Sequence, residues 1–225
     1  MIIITGASRG LGEGIRARLV EGGRGVISIA RNVDNIPEPA FACDVGSYAD
    51  LKAVAAKIKA AGIEVAGVIN AAGIASMNLA ITTPPRSTQA ILQTNLAGTI
   101  YSCQVFAPLL LRNKAGCIIN FSTIAVALGL KGESVYAASK AGVEAFSRVF
   151  AREMADFGVR VNCIAPGPIK TDLLNGVTDE QIDRIVRRQI IPRRFTPNDV
   201  CDLVELLLDH RATSLSGQVL SIGGS

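Results

Sequence analysis

Met1-Ile2-Ile3-Ile4-Thr5-Gly6-Ala7-Ser8-Arg9-Gly10-Leu11-Gly12 opens the chain, and the reading of this stretch decides the fold. The apolar run 1–4 has the length of a strand buried on both faces, and Thr5-Gly6 ends it. A helix is expected over 12–20, stopped by Gly22-Gly23. Glycines at 6, 10 and 12, spaced GxxxGxG, let the backbone turn sharply and approach a pyrophosphate against the helix N-terminus. A plain tight turn would use the same glycines. Their position directly after a first strand is what points to nucleotide binding.

Outwards from this unit the alternation repeats. Further strands are expected at 26–30, 40–43, 65–69, 117–121, 159–165 and 218–222, each a short apolar run. Helices are expected at 48–60, at 95–111 after Pro84-Pro85, and at 136–157, 179–189 and 197–208. The strand runs are continuous rather than alternating, as when helices cover both faces of a parallel sheet. The expected fold is α/β, a doubly wound parallel sheet flanked by helices. It spans 1–225 as a single domain with no linker or internal repeat.

Composition agrees with that picture. A chain of 225 residues can bury one good core, and 49% apolar with 4% aromatic, no Trp and 22 Gly suits closely packed helix-on-sheet layers. The formal net charge of +4 is spread along the chain and argues against nucleic acid as a partner. Five Cys without a CxxC read as reduced thiols, which points to the cytoplasm. His210 is the sole histidine, so a multi-His metal site is excluded and no metal is expected. No apolar run approaches the ~20 residues of a membrane span, and no basic segment precedes the isoleucines, so neither membrane nor secretory leader is expected.

Tyr136-Ala137-Ala138-Ser139-Lys140 carries the chemistry. On a helix, Tyr136 and Lys140 at i and i+4 share a face one turn apart. A free phenol ionises near pH ~10, and a neighbouring ammonium moves that value down towards the working range. Such a pair can donate a proton to a carbonyl being reduced, or accept one from an alcohol. A surface Tyr and Lys on an amphipathic helix would show the same spacing.

TGASRGLG at 5–12, NAAG at 70–73, Asn95, the Tyr136/Lys140 pair and PGPIKT at 166–171 fall in the order and spacing of one family. The chain resembles the short-chain dehydrogenase/reductase family, in its 3-oxoacyl-[acyl-carrier-protein] reductase-like branch. The closing GQVLSIGG at 217–224 is included, and the likeness covers 2–224. It implies a Rossmann-type, NAD(P)-dependent oxidoreductase with a catalytic Asn-Ser-Tyr-Lys set. By that resemblance Tyr136 is the acid-base. Lys140 lowers its pKa and binds the nicotinamide ribose, and Asn95 holds a water that resupplies the proton. A solvent-facing Asn95 is the alternative. The cofactor would meet Gly6, Ser8, Arg9, Gly10, Leu11 and Gly12 in the first turn. Further along it would meet Arg31 and Asn32, Asp44 and Val45, and Asn70, Ala71, Ala72 and Gly73. Pro166, Gly167, Ile169 and Thr171 would line the nicotinamide and phosphate. Asp44 could equally cap the following helix.

Two departures from the family pattern matter. The chain has Ala71 where the family usually has a second Asn. The substrate-orienting hydroxyl, most often a Ser thirteen positions before the Tyr, is here Thr123, with Ser122 one residue earlier. Because successive strand residues point to opposite faces, Thr123 rather than Ser122 is expected to act. Arg31 stands where NAD-specific relatives carry an acid, and Arg9 is in the glycine turn, so NADPH/NADP is expected ahead of NAD.

The segment 172–195 corresponds to the family's substrate loop. Its Arg184, Arg187, Arg188, Arg193 and Arg194 suit either an anionic substrate or carrier, or one solvated face of a helix whose apolar stripe is Ile182, Ile185, Val186 and Ile190. The expected substrate is a small carbonyl or alcohol, thioester-linked or not. Phe157, where acyl-carrier reductases often place a basic residue, counts against a dedicated fatty-acid role. A homodimer or homotetramer is expected, because Val105, Phe106, Leu109 and Leu110 and then Val143, Phe146, Val149 and Phe150 make two helices apolar over more than one face. The competing readings are a nucleotide-binding sensor or scaffold without turnover, and an epimerase or dehydratase.

Overall fold

Ile2, Ile3 and Ile4 are all buried, which a strand allows only when both faces of its sheet are covered. The computed structural model describes residues 1–37, 39–111, 115–174 and 176–224. The strands are β1 (Ile2–Thr5), β2 (Val26–Ala30), β3 (Ala40–Ala42), β4 (Gly67–Asn70), β5 (Gly116–Phe121), β6 (Val159–Ala165) and β7 (Val219–Ser221). They form one seven-stranded sheet in the order β3-β2-β1-β4-β5-β6-β7, and each neighbouring pair runs parallel. This is a Rossmann-type doubly wound sheet.

The helices are α1 (Gly10–Glu21), α2 (Tyr48–Ala60), α3 (Pro85–Ile91), α4 (Gly98–Leu110), α5 (Ala125–Leu128), α6 (Ser134–Ala155), α7 (Asp179–Val186) and α8 (Pro197–Leu208). Successive side chains of each strand go to opposite layers. Ile3, Val68, Ile118 and Val161 pack with Leu51, Val54 and Ile58 of α2, Phe106 and Leu110 of α4, and Phe150 of α6. Ile2, Ile4, Ile69, Ile119 and Ile164 pack on the other face with Ile15 and Leu19 of α1 and Val200, Val204 and Leu207 of α8. The chain winds from β1 out to β3, then returns to β4 on the other side of β1. At such a reversal the loops after neighbouring strands diverge and leave a crevice at their carboxyl ends.

Three expectations change. The long helix begins at Pro85, not at Asn95. Between α3 and α4, residues Leu92–Ala97 form a π-helical stretch that contains Asn95. The helix of the 172–195 segment ends at Val186, and Ile190, placed on its apolar stripe, is 76% exposed beyond it. Asn175 of that segment lies outside the described residues. The apolar excess on α4 and α6 is mostly taken up by the chain's own core: Val105, Phe106, Leu110, Val143 and Phe150 are buried, whereas Val149 is exposed. Among the described residues no helix is long and apolar enough to cross a membrane.

Candidate active site

The loops after six of the strands line one cleft of about 500 Å³, in the range of small-molecule and cofactor sites. The first turn forms one wall with Gly6, Ser8, Arg9, Gly10 and Leu11. Gly6 adopts φ +71°, and a Cβ there would come within 2.7 Å of the Ala72 backbone. A Cβ on Gly12 would lie 2.2 Å from the Gly6 carbonyl oxygen. Gly12 is therefore buried behind the turn, where only hydrogen allows α1 to start so close to β1. The N-terminus of α1 carries no side-chain cap, so its first N–H groups keep the positive end of the helix uncovered.

The adjacent walls come from Ala30 and Arg31 after β2, and from Cys43, Asp44 and Val45 after β3. Arg9 and Arg31 are both exposed and both line the cleft. Asn32 does not line it; its Oδ1 accepts from the Asp34 N–H at 2.9 Å. Asp44 is not the cap of α2. Its Oδ1 accepts from Gly46 N–H at 2.9 Å, and Ser47 caps the helix by accepting from Asp50 N–H. Ala71, Ala72 and Gly73 after β4 complete this part. Asn70 turns the other way, into the core: its Nδ2 donates to Asn120 Oδ1 at 2.8 Å, and its Oδ1 accepts from the Ser102 hydroxyl at 2.6 Å. On the β6 side the cleft meets Pro166, Gly167, Ile169 and Thr171. A glycine-walled turn, an uncovered helix N-terminus and two guanidiniums on one cleft together fit a nicotinamide dinucleotide.

Tyr136 and Lys140, one turn apart on α6, are 7% and 5% exposed and both line the cleft. Helix α6 begins at Ser134, so the pair occupies its first two turns. Lys140 Nζ donates to the Phe121 carbonyl at 2.9 Å and lies 6.0 Å from the Tyr136 ring centre. The expected lowering of the phenol is not what this arrangement produces. Burial pushes the Tyr136 pKa well above the usual range, and the Glu133 carboxylate raises it further, while the nearby Thr123 hydroxyl acts the other way. Burial lowers the Lys140 ammonium to about 8. Desolvation is the largest cause for both groups.

Asn95 is fully buried, which removes the solvent-facing alternative. Its Oδ1 accepts from Ile74 N–H at 2.8 Å, and its Nδ2 donates to the Ile74 carbonyl at 2.9 Å and the Ser139 hydroxyl at 3.1 Å. It therefore clamps the loop after Gly73 to α6, next to Lys140. Strand β5 ends at Phe121, so the alternation of a strand does not separate Ser122 from Thr123, and both line the cleft. Their partners separate them. Ser122 donates its hydroxyl to Glu144 Oε1 at 2.6 Å, whereas Thr123 Oγ1 accepts from Ala125 N–H at 3.2 Å and, among the described residues, keeps its own proton free on the cleft wall it shares with Tyr136.

The arginines of the substrate segment are largely engaged with their own chain. Arg193 pairs with Asp199 at 2.6 Å, Arg194 with Asp179 and Asp183 at 2.8 Å each, and Arg188 donates to the Leu128 carbonyl. Sequence reasoning overlooked Thr94, Ile74, Leu130 and Glu133, which also line the cleft. Glu133 stands three residues before Tyr136, and that spacing was the available signal.

Comparison with known proteins gives a consistent result. Residues 6–224 match the family described as Enoyl-(Acyl carrier protein) reductase. The chain is 31% identical to the 3-oxoacyl-[acyl-carrier-protein] reductase FabG of Staphylococcus epidermidis, over 99% of this chain and 96% of that protein. Among solved structures it superposes on the aldohexose dehydrogenase of Thermoplasma acidophilum with a TM-score of 0.88 and 26% identity, covering 99% of this chain and 92% of that one. It also superposes on ElxO with NADP bound, with a TM-score of 0.89 and 25% identity, covering 98% and 96%. With matching motifs, sheet order and near full-length coverage, the chain belongs to the short-chain dehydrogenase/reductase family, in its 3-oxoacyl-[acyl-carrier-protein] reductase-like branch, and is an NAD(P)-dependent oxidoreductase.

Proposed function

We propose that the protein is an NADPH-preferring reductase that interconverts a ketone and a secondary alcohol, with Tyr136 as its acid-base. The observation that carries this reading is the buried phenol in the cleft, which Thr123 also lines, one turn from Lys140. The bound nicotinamide would supply the hydride. Gly6, Ser8, Gly10 and Leu11 would hold its pyrophosphate against α1, and Arg9 and Arg31 a 2′-phosphate. Asp44, Val45 and Ala71 to Gly73 would flank the adenosine half, and Pro166, Gly167, Ile169 and Thr171 the nicotinamide half.

Tyr136 is protonated at neutral pH, as any phenol is, and its raised pKa keeps it so; it would present a proton to a carbonyl oxygen becoming an alkoxide. Thr123 would donate to the same oxygen and aim it. Lys140 would hold the ribose and stabilise the phenolate left after transfer, and Asn95 keeps the Gly73 loop and α6 in register around it. Support for the carbonyl class comes from relatives named as a 3-oxoacyl reductase and an aldohexose dehydrogenase. Assembly as a dimer or tetramer in the cytoplasm belongs to the same reading, supported by Val149 and Phe157 exposed on and just beyond α6. The test is loss of NADPH fluorescence with a panel of ketones and β-ketoacyl thioesters. Tyr136→Phe should lower kcat by about 10²–10⁴ while cofactor affinity persists. Undiminished turnover in that variant would sink the assignment.

A further inference from the structure

Glu133 is a carboxyl group in the cleft wall that the proton transfer above does not employ. It is 7% exposed, lines the cleft, and stands immediately before α6, three residues from Tyr136. An acid at this position ordinarily turns back to accept from the first N–H groups of the helix. Glu133 makes no such capping bond. Among the described residues no Lys or Arg pairs with it, and burial is the only cause that displaces its pKa, upwards. The side chain is largely buried while its carboxylate keeps access to the cleft, where a ligand can reach it. It lines the same cleft as Tyr136, and its charge raises the phenol's pKa. An acceptor on the wall of such a cleft, free of partners in its own chain, is the kind of group that fixes a ligand's orientation.

We propose, resting on the reductase reading, that Glu133 is a substrate-recognition residue, and that the carbonyl substrate carries a hydrogen-bond donor, a protonated amine or a hydroxyl, a few bonds from its carbonyl carbon. The donor group meets the Glu133 carboxylate while the carbonyl oxygen meets Tyr136 and Thr123. A cation gains most, because it supplies both charge and donor to a desolvated acceptor. A substrate with a carboxylate or phosphate near the carbonyl is disfavoured by like charge. A 3-oxoacyl chain offers only methylenes and carbonyls around its ketone and gives Glu133 nothing to accept. Hydroxy- or aminoketones therefore fit this cleft better than acyl thioesters do.

Three ketones of similar ring size test this: cyclohexanone, 4-hydroxycyclohexanone and 1-methyl-4-piperidone, the last protonated at neutral pH. The readout is the ratio of kcat/KM for each donor-bearing ketone to that for cyclohexanone. Both ratios should exceed one in the wild type. In Glu133→Gln, which keeps the shape and removes the charge, the piperidone ratio should fall by roughly 10- to 100-fold. Glu133→Asp should recover part of it. Equal ratios in wild type and Glu133→Gln would overturn the proposal. The same ketones are titrated calorimetrically into the protein with NADP present. If no ketone is turned over, the reductase reading fails, yet piperidone binding weakened in Glu133→Gln still supports recognition by Glu133. Binding that the substitution leaves unchanged overturns it. Equal NADP affinity and melting temperature in the variants establish that the fold is intact.

Discussion

The Ser122 hydroxyl donates to Glu144 Oε1 at 2.6 Å, so its single proton is engaged inside the protein. Thr123 uses its oxygen as an acceptor from Ala125, so its proton remains free on the cleft wall that Tyr136 also lines. Thr123→Ala should therefore lower kcat by about 10²–10³, the usual effect of removing a donor to developing oxyanion charge. Thr123→Ser should keep most activity. Ser122→Ala should act mainly on stability, through Glu144. A larger kcat loss in Ser122→Ala than in Thr123→Ala would reverse the assignment. Lys140 allows a second prediction. Burial lowers its pKa from 10.5 to about 8, so below that value the native chain holds a desolvated ammonium that the unfolded chain holds in water. Between about 8 and 10.5 the unfolded state binds more protons, and native stability rises with pH. Lys140→Met removes the ammonium and also a hydrogen bond to the Phe121 carbonyl. At neutral pH Lys140→Met should be more stable by on the order of 2 kcal/mol while losing activity. Urea unfolding should show the gap closing near the unfolded-state pKa of 10.5. A gap independent of pH would refute the account.

At the scale of elements, the π-helical stretch Leu92–Ala97 is the irregular piece that sets the site. One extra residue per turn there changes the direction of side chains before α4, and π-bulges recur at functional positions. Here the stretch holds Asn95, whose amide satisfies both backbone groups of Ile74 and reaches Ser139. Asn95→Ala would leave those buried groups without partners, and a cost of about 2–4 kcal/mol is expected in urea unfolding, with weaker NADPH binding as the Gly73 loop loosens. Asn95→Asp retains the acceptor for the Ile74 N–H and should fall between. A loss under about 0.5 kcal/mol would show that the clamp matters little. Sequence reading was good where an element has its own signal. Strand β6 was legible because Val159, Val161 and the run Cys163-Ile164-Ala165 mark it as apolar despite Arg160 and Asn162. Helix α8 was legible because Thr196 and Asp199 form a capping box around Pro197. The start of the long helix was missed because α3 buries only Ile91, so no apolar stripe announces it. The orientation of Glu133 was not legible either. An acid before a helix reads as a cap, and only the fold shows that it makes no capping bond and lines the cleft instead.

For the molecule as a whole, the cleft gathers loops that follow six separate strands, so a ligand seated there adds links between segments far apart in the chain. Binding to the native state alone stabilises it by about 2.7 kcal/mol at a hundredfold excess over Kd. For a domain of this length, that corresponds to roughly 5–10 °C in melting temperature. The 2′-phosphate is what distinguishes NADPH from NADH. Arg9 and Arg31, both exposed on the cleft rim, can each offer it a charge-assisted bond of about 1.5–3 kcal/mol before solvent screening. Even a tenfold affinity difference is about 1.4 kcal/mol, or roughly 3–5 °C between the two cofactors at equal concentration. NADPH should therefore raise the melting temperature more than NADH does. Arg31→Asp should erase or invert that order, because the new carboxylate repels the phosphate and can accept from a 2′-hydroxyl. The kcat/KM ratio for the two cofactors should move the same way by at least about tenfold. The measurement needs no knowledge of the substrate. Equal shifts with NADH and NADPH in the wild type would show that the two guanidiniums are merely solvated.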